Sequence, residues 1–87
     1  MDYRRTVEDR ADLLLTTAFN DNEYIILASR FSGQQVLIET NGIKFFECES
    51  ALEYLYKQRW IDKKDTKGEV FILTDLGIKK ARTLKFI

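Results

Sequence analysis

The sequence contains no histidine and no proline, and Cys48 is its single cysteine. Without histidine, no imidazole is present to act as a general base, to activate a nucleophile or to bind a metal ion. One cysteine forms neither an intramolecular disulfide nor a zinc or iron–sulfur site, and it suits a reducing compartment. We therefore expect a non-enzymatic cytoplasmic protein with no catalytic residues, no metal and no cofactor.

Glycine and long apolar runs are also scarce. The four glycines are too scattered for a phosphate-binding loop: Gly33, Gly42, Gly68 and Gly77. The longest unbroken apolar run covers only residues 24–28, whereas about 20 apolar residues are needed to cross a bilayer. We expect no membrane segment.

The residues that are present favour one small folded domain over residues 1–87. The chain is 45% hydrophobic and 13% aromatic, which is ample for a packed interior and too apolar for a disordered chain. Its 14 basic and 14 acidic side chains cancel. Neither length nor composition indicates a second domain.

The first third of the chain favours helices. Apolar residues recur at helical spacing over 4–19, which predicts an amphipathic helix within an N-terminal part spanning 1–20. In the next segment Tyr24, Leu27, Ala28 and Phe31 would share one face of a second helix. A strand is the competing interpretation, because residues 24–27 are also a short apolar run.

Residues 34–48 permit two local structures. Asn41-Gly42 between two apolar runs is a strong signal for a type I′ hairpin. Alternatively, Gly42 suits the left-handed position that ends a helix over about 34–41. The local pattern leaves this choice open.

The second half gives clearer signals. Helical spacing of Ala51, Leu52 and Leu55 predicts a helix from about Ser50 to Arg59. Two short strands, at 60–61 and 70–73, flank a charged turn, so 60–74 is predicted to be a hairpin. Thr74 then caps a last helix over about 75–84, within a C-terminal part spanning 75–87, with inward residues Leu76, Ala81 and Leu84.

The second half of the chain resembles the second half of a winged helix-turn-helix domain, as in MarR-like and PadR-like repressors. It consists of a helix ending in "LEYLYKQRWI", a charged hairpin, and the segment "FILTDLGIKKA" that opens the last helix. In such domains a Leu-Thr-x-x-Gly pattern, here Leu73, Thr74 and Gly77, closes the second wing strand and opens the next helix. Gly77 would permit close backbone packing there. The resemblance implies an α+β winged helix-turn-helix fold with an added N-terminal helix and a C-terminal helix after the wing.

The same resemblance extends backward, without gaps, over Leu37 to Ile61. Leu37 would be the inward residue of the helix before the turn, with Gly42 as the turn glycine and Ile43 as the apolar residue after it. This places a helical, helix-turn-helix part at 21–59. Ile38 departs from the pattern, since a small residue usually allows the two helices to approach.

The charges are unevenly distributed. Residues 1–53 carry five basic and ten acidic side chains, a net −5, whereas residues 54–87 carry nine basic and four acidic, a net +5. With the resemblance, this predicts a transcription-regulator-like protein that binds double-stranded DNA. The expected phosphate contacts are Lys57, Arg59, Lys63, Lys64 and Lys67. They are equally compatible with ordinary solvated surface.

An alternative function follows from the start of the predicted recognition helix. It reads Phe45-Phe46-Glu47, where a DNA reader would carry polar or basic residues. The alternative is a winged module that acts as a protein–protein adaptor without binding DNA, through Phe45, Phe46 and Tyr56. The N-terminal helix would either form a homodimer interface or cover the core.

Overall fold

The computed structural model of the protein describes residues 7–31 and 35–84. They form three helices and five strands in this order: α1 (Val7–Phe19), β1 (Ile25–Arg30), β2 (Gln35–Thr40), β3 (Ile43–Cys48), α2 (Glu49–Lys57), β4 (Ile61–Lys63), β5 (Val70–Leu73) and α3 (Asp75–Leu84). The predicted first helix is confirmed from Val7 onward. Its expected residues 4–6 and the expected C-terminal residues 85–87 lie outside the described part of the chain.

The strands form one antiparallel sheet in the order β3-β2-β1-β5-β4. The central strand β1 pairs with one strand of each hairpin: Leu27 lies opposite Glu39 of β2, and Ile26 lies opposite Phe71 of β5. Thr40, which is buried, donates a side-chain hydrogen bond of 3.0 Å to the Ile25 carbonyl. The predicted α+β class is confirmed.

All three helices pack on one face of this sheet. Alternate strand residues on that face are buried: Ile26, Ala28, Val36, Ile38, Thr40, Ile61, Phe71 and Leu73. α1 contributes Leu14 and Leu15, both fully buried, and it contacts both α2 and α3. The strand residues of the opposite parity are half-buried or exposed. The core therefore lies entirely between the helices and one face of the sheet.

The helix favoured over 24–31 is wrong, because this segment is strand β1. Ile26 and Ala28 are buried while Leu27 and Phe31 are exposed, which is a two-residue period and not a helical one. The branched side chains of Ile25 and Ile26 favour extended backbone. Strands on both sides then satisfy the backbone hydrogen bonds of β1.

Of the two local structures left open over 34–48, the described residues form the hairpin, so the helix-turn that the resemblance implied there is wrong. Asn41 and Gly42 adopt φ angles of 55° and 76°, the two left-handed positions that a type I′ turn requires. Leu37 points away from the helices, opposite Phe46 of β3. Among the described residues of the predicted helical part at 21–59, the helix covers only Glu49 to Lys57, and strands occupy most of the rest.

The elements predicted after Ser50 are confirmed. Ala51, Leu52 and Leu55 are buried, and the Thr74 hydroxyl accepts a hydrogen bond from the Gly77 N–H at 3.0 Å, as a helix cap does. Leu76, expected to point inward, is instead 52% exposed. The reason is that Gly77 lies against the Trp60 carbonyl, so Gly77 and Ala81 form the inward face of α3.

We predict that Gly77→Ala destabilises the fold by roughly 2–3 kcal/mol. A Cβ atom at this position would lie 2.0 Å from the Trp60 carbonyl oxygen, so α3 would have to move away from β4. Gly42→Ala is the control, since a Cβ there meets no atom within 4 Å and adds only the strain of a positive φ, about 1 kcal/mol. Urea unfolding measures both, and equal losses would contradict the close packing.

Candidate functional site

The five basic residues expected to contact phosphates lie around the C-terminal end of α2, but they do not form one patch. Lys57 and Arg59 line a groove that also includes Asp62 and Thr74. Lys63 and Lys67 instead line a cleft on the other side of Tyr56. Lys64 begins the turn between β4 and β5, where its N–H donates to the Val70 carbonyl.

Arg59 owes its position to the way α2 ends. Its φ angle of 66° is left-handed, and its N–H donates to the Tyr56 carbonyl at 3.0 Å. The Trp60 N–H donates to the Leu55 carbonyl at 3.1 Å, which completes a Schellman motif. Arg59 therefore occupies a position that usually holds glycine, and it turns the chain from α2 into β4.

The cleft between α2 and the β4–β5 hairpin, called here the α2 cleft, has a volume of about 300 Å³. Its base is apolar and consists of Ala28, Val36, Leu52 and Phe71. Its rim is charged and carries three basic and three acidic residues: Arg30, Lys63 and Lys67 with Glu49, Glu53 and Glu69. The two wing lysines of this rim, Lys63 and Lys67, therefore share it with three carboxylates.

Local contacts already involve two of these rim cations. Arg30 forms an ion pair with Glu49. The Lys63 ammonium lies 5.3 Å from the centre of the Tyr56 ring, within the range of a cation–π interaction. Across residues 61–69 three lysines are balanced by Asp62, Asp65 and Glu69. The C-terminal excess of positive charge is thus not concentrated at the wing.

Asp65 holds the turn that carries Lys67. Its Oδ1 accepts hydrogen bonds from the N–H groups of Gly68, Glu69 and Val70 at 3.0, 3.0 and 3.1 Å. Partial desolvation raises the pKa of Asp65, but these N–H donors together outweigh it and lower the pKa below its ordinary value of 3.8. The turn therefore depends on the ionised carboxylate.

The face of the sheet opposite the three described helices carries a second candidate surface. Phe31 and Phe46 are 60% and 61% exposed, and their ring centres lie 5.3 Å apart. Leu27 on the same face is 44% exposed. We call these three residues the aromatic face. Leu37, half-buried between β1 and β3 on this face, joins them into an apolar area.

The surface predicted from Phe45, Phe46 and Tyr56 does not come together. Phe45 is opposite the buried Ile38 and packs against the core, on the other face of the sheet from Phe46. Tyr56, 43% exposed, lies on α2 at the helix side. The sequence prediction missed Phe31 and Leu27, because a helical interpretation of 24–31 turned both residues inward. The β-branched residues Ile25 and Ile26 were the signal in the sequence that favoured a strand there.

One cluster of titratable groups lies where the helices meet. Desolvation raises the pKa of Asp12 on α1, with Lys80 opposing the shift and Asp9 and Glu8 adding to it. Desolvation, with smaller contributions from Glu8 and Asp12, also raises the pKa of Tyr54. Over residues 7–31 and 35–84, no group of three or more histidine, cysteine or acidic residues is arranged to hold a metal ion.

Comparison with family models, with curated proteins and with solved structures finds no match for this chain. Within the described residues, each helix is too short or too polar to cross a bilayer.

We predict that Asp65→Ala lowers the free energy of unfolding at about pH 7, and that its difference from the wild type shrinks at about pH 3. A carboxylate with a lowered folded pKa stabilises the folded state above its ordinary pKa of 3.8, and that contribution is lost as the pH falls through the lowered value. Urea unfolding at the two pH values tests this, with Asp65→Asn as a control that keeps an acceptor oxygen. The same loss at both pH values would contradict it.

Proposed function

We propose that this chain is a non-enzymatic binding module that recognises another protein through its aromatic face. The observation that carries the proposal is the pair Phe31 and Phe46, in ring contact with each other and about three-fifths exposed. Single exposed apolar residues are ordinary, whereas adjacent ones on a regular surface mark sites of interaction.

The chemistry of the aromatic face suits a protein partner. Aromatic rings bury a large area with few rotatable bonds, so ordering them on binding costs little entropy. β1 and β3 hold the two ends of this surface at fixed register, through Leu37 of β2 between them. A partner therefore meets a preformed surface.

Charges around the aromatic face limit which partners suit it. Glu39 and Lys44 lie directly opposite each other on neighbouring strands of this face, so their charges cancel. Ser29 adds a neutral polar group beside Leu37. A strongly charged polymer such as DNA gains nothing from this face, whereas an apolar protein surface with a polar rim is complementary to it.

DNA binding through a winged-helix arrangement is a second proposal, and the order of the elements favours it. β1 pairs with β5, β5 pairs with β4, and α2 comes directly before the β4–β5 hairpin, as in winged-helix domains. In this interpretation the β2–β3 hairpin takes the place of the first helix of the helix-turn-helix. Lys64, Lys57 and Arg59 would then contact phosphates beside a wing whose own charge is balanced.

For the protein-binding proposal, we predict that a photo-crosslinking amino acid at position 46 forms covalent adducts with another protein in the cells that produce this chain. The same amino acid at position 76 is the matched control, because Leu76 is also about half exposed but lies on α3. Phe31→Asp should abolish the adduct at 46, because it places a charge beside the reactive ring. Equal labelling at both positions would refute the proposal.

For the DNA proposal, we predict weak binding to random-sequence duplex DNA that depends on salt. If Lys57, Arg59 and Lys64 each contact a phosphate, affinity should fall roughly 40-fold between about 50 mM and 200 mM salt. Replacing all three by Glu should remove the binding, as measured by fluorescence anisotropy. An absence of binding at about 50 mM salt would eliminate DNA as a partner.

A further inference from the structure

The two edges of the sheet are built differently. The edge strand β4 has three residues, and Asp62 and Lys63 within it are exposed and charged. Short strands with charged side chains are a common protection against pairing with another chain. The opposite edge, β3, is six residues long, contains no proline and carries the exposed Phe46. Only β3 has the length and character of an edge that accepts a further strand.

The hairpin geometry determines which backbone groups of β3 face outward. A two-residue type I′ turn makes its flanking residues, Thr40 and Ile43, a hydrogen-bonded pair. Hydrogen-bonded and non-bonded pairs then alternate along the strands, so Phe45 also bonds to β2. The N–H and C=O groups of Lys44, Phe46 and Cys48 consequently point away from the sheet.

The other side of β2 agrees with this alternation. The Gln35 carbonyl, opposite Cys48, accepts a hydrogen bond from the Phe31 N–H at 3.1 Å, toward β1. Gln35 therefore bonds away from β3, as a residue of a non-bonded pair does. The same holds by alternation for Leu37, the residue opposite Phe46.

We propose that β3 pairs with β3 of a second copy of this chain, antiparallel and centred on Phe46, to form a two-fold symmetric dimer with a continuous sheet. This rests on the proposed function and names a second copy of this chain as the protein that meets the aromatic face, at Phe46. In this register Phe46 exchanges backbone hydrogen bonds with Phe46 of the second copy. Lys44 exchanges backbone hydrogen bonds with Cys48 of the second copy. Every hydrogen-bonded pair across the interface therefore joins backbone groups that point away from their own sheets.

The side chains of β3 and Phe31 favour a second copy as the occupant. A two-fold axis at Phe46 places the two Phe46 rings opposite each other on the helix-free face, each next to its own Phe31. The two Glu47 side chains, one from each copy, would be diagonal neighbours and repel each other. Within each copy the Arg10 guanidinium lies 3.1 Å from the Glu47 carboxylate and offsets that repulsion. Lys44 and Glu47 leave the strand without net charge.

The exposed area is also appropriate. Each Phe side chain presents about 120 Å² at its observed exposure, so Phe31 and Phe46 together offer about 240 Å² per copy. A stable interface buries about 800 Å² per partner, with an apolar centre and a polar rim. The paired β3 edges and the exposed side chains of Ile43 and Lys44 would add to this area.

The test is the molar mass of the purified protein by sedimentation equilibrium over a range of concentrations. We expect the mass to rise from 10.3 kDa toward twice that value. Phe46→Asp and Lys44→Pro should each weaken association at least about tenfold. The first places two like charges opposite each other at the two-fold axis, and the second removes a backbone N–H that would donate to the second copy. Leu76→Asp, an equally large change on exposed α3, should leave association unchanged.

Amide hydrogen exchange of the wild-type protein tests the register even if a variant fails to fold. The Lys44 and Phe46 amides should become protected as concentration rises, whereas the Phe45 amide should be protected at every concentration. A monomer at all concentrations would overturn the dimer, and so would a dimer that Phe46→Asp leaves intact. A monomer that still crosslinks at position 46 to a different protein would overturn self-pairing and leave the proposed function standing.

Discussion

The packing of all three described helices on one face of the five-stranded sheet is the constraint on which the surface of this protein depends. Five strands about 4.8 Å apart span about 20 Å, and helices about 10 Å wide must lie side by side to cover them. The three helices, of 13, 9 and 10 residues, all serve that purpose on one face. In the described part of the chain, no helix remains for the opposite face, so Phe31 and Phe46 stay exposed.

The β2–β3 hairpin connects the fold to both proposed interactions. It extends the sheet beyond β1, which creates the area of the aromatic face and a free edge at β3. It also occupies the position in the chain where a helix-turn-helix would have its first helix, which leaves α2 as a short helix with Glu49 and Glu53 beside the wing. The same hairpin therefore strengthens a protein-binding role and weakens a DNA-binding one.

Sequence reasoning succeeded where the signal was local. The cap at Thr74, the close approach at Gly77 and the inward stripe of α2 are each encoded within a few residues. It failed over 24–31, because Tyr24, Leu27, Ala28 and Phe31 fit a helical period equally well, and only pairing with two distant strands decides for β1. The cancellation of wing lysines by Glu49 and Glu53 was equally invisible, since it depends on how α2 packs against the sheet.

The most direct test of this account is a nuclear Overhauser experiment on residues 31–48. The account predicts a strong Hα–Hα contact between Leu37 and Phe46, which are a non-hydrogen-bonded pair, together with contacts between the rings of Phe31 and Phe46. Sequential amide–amide contacts along 34–41 without cross-strand contacts would mean a helix there. That result would remove the uncovered aromatic face and contradict the account.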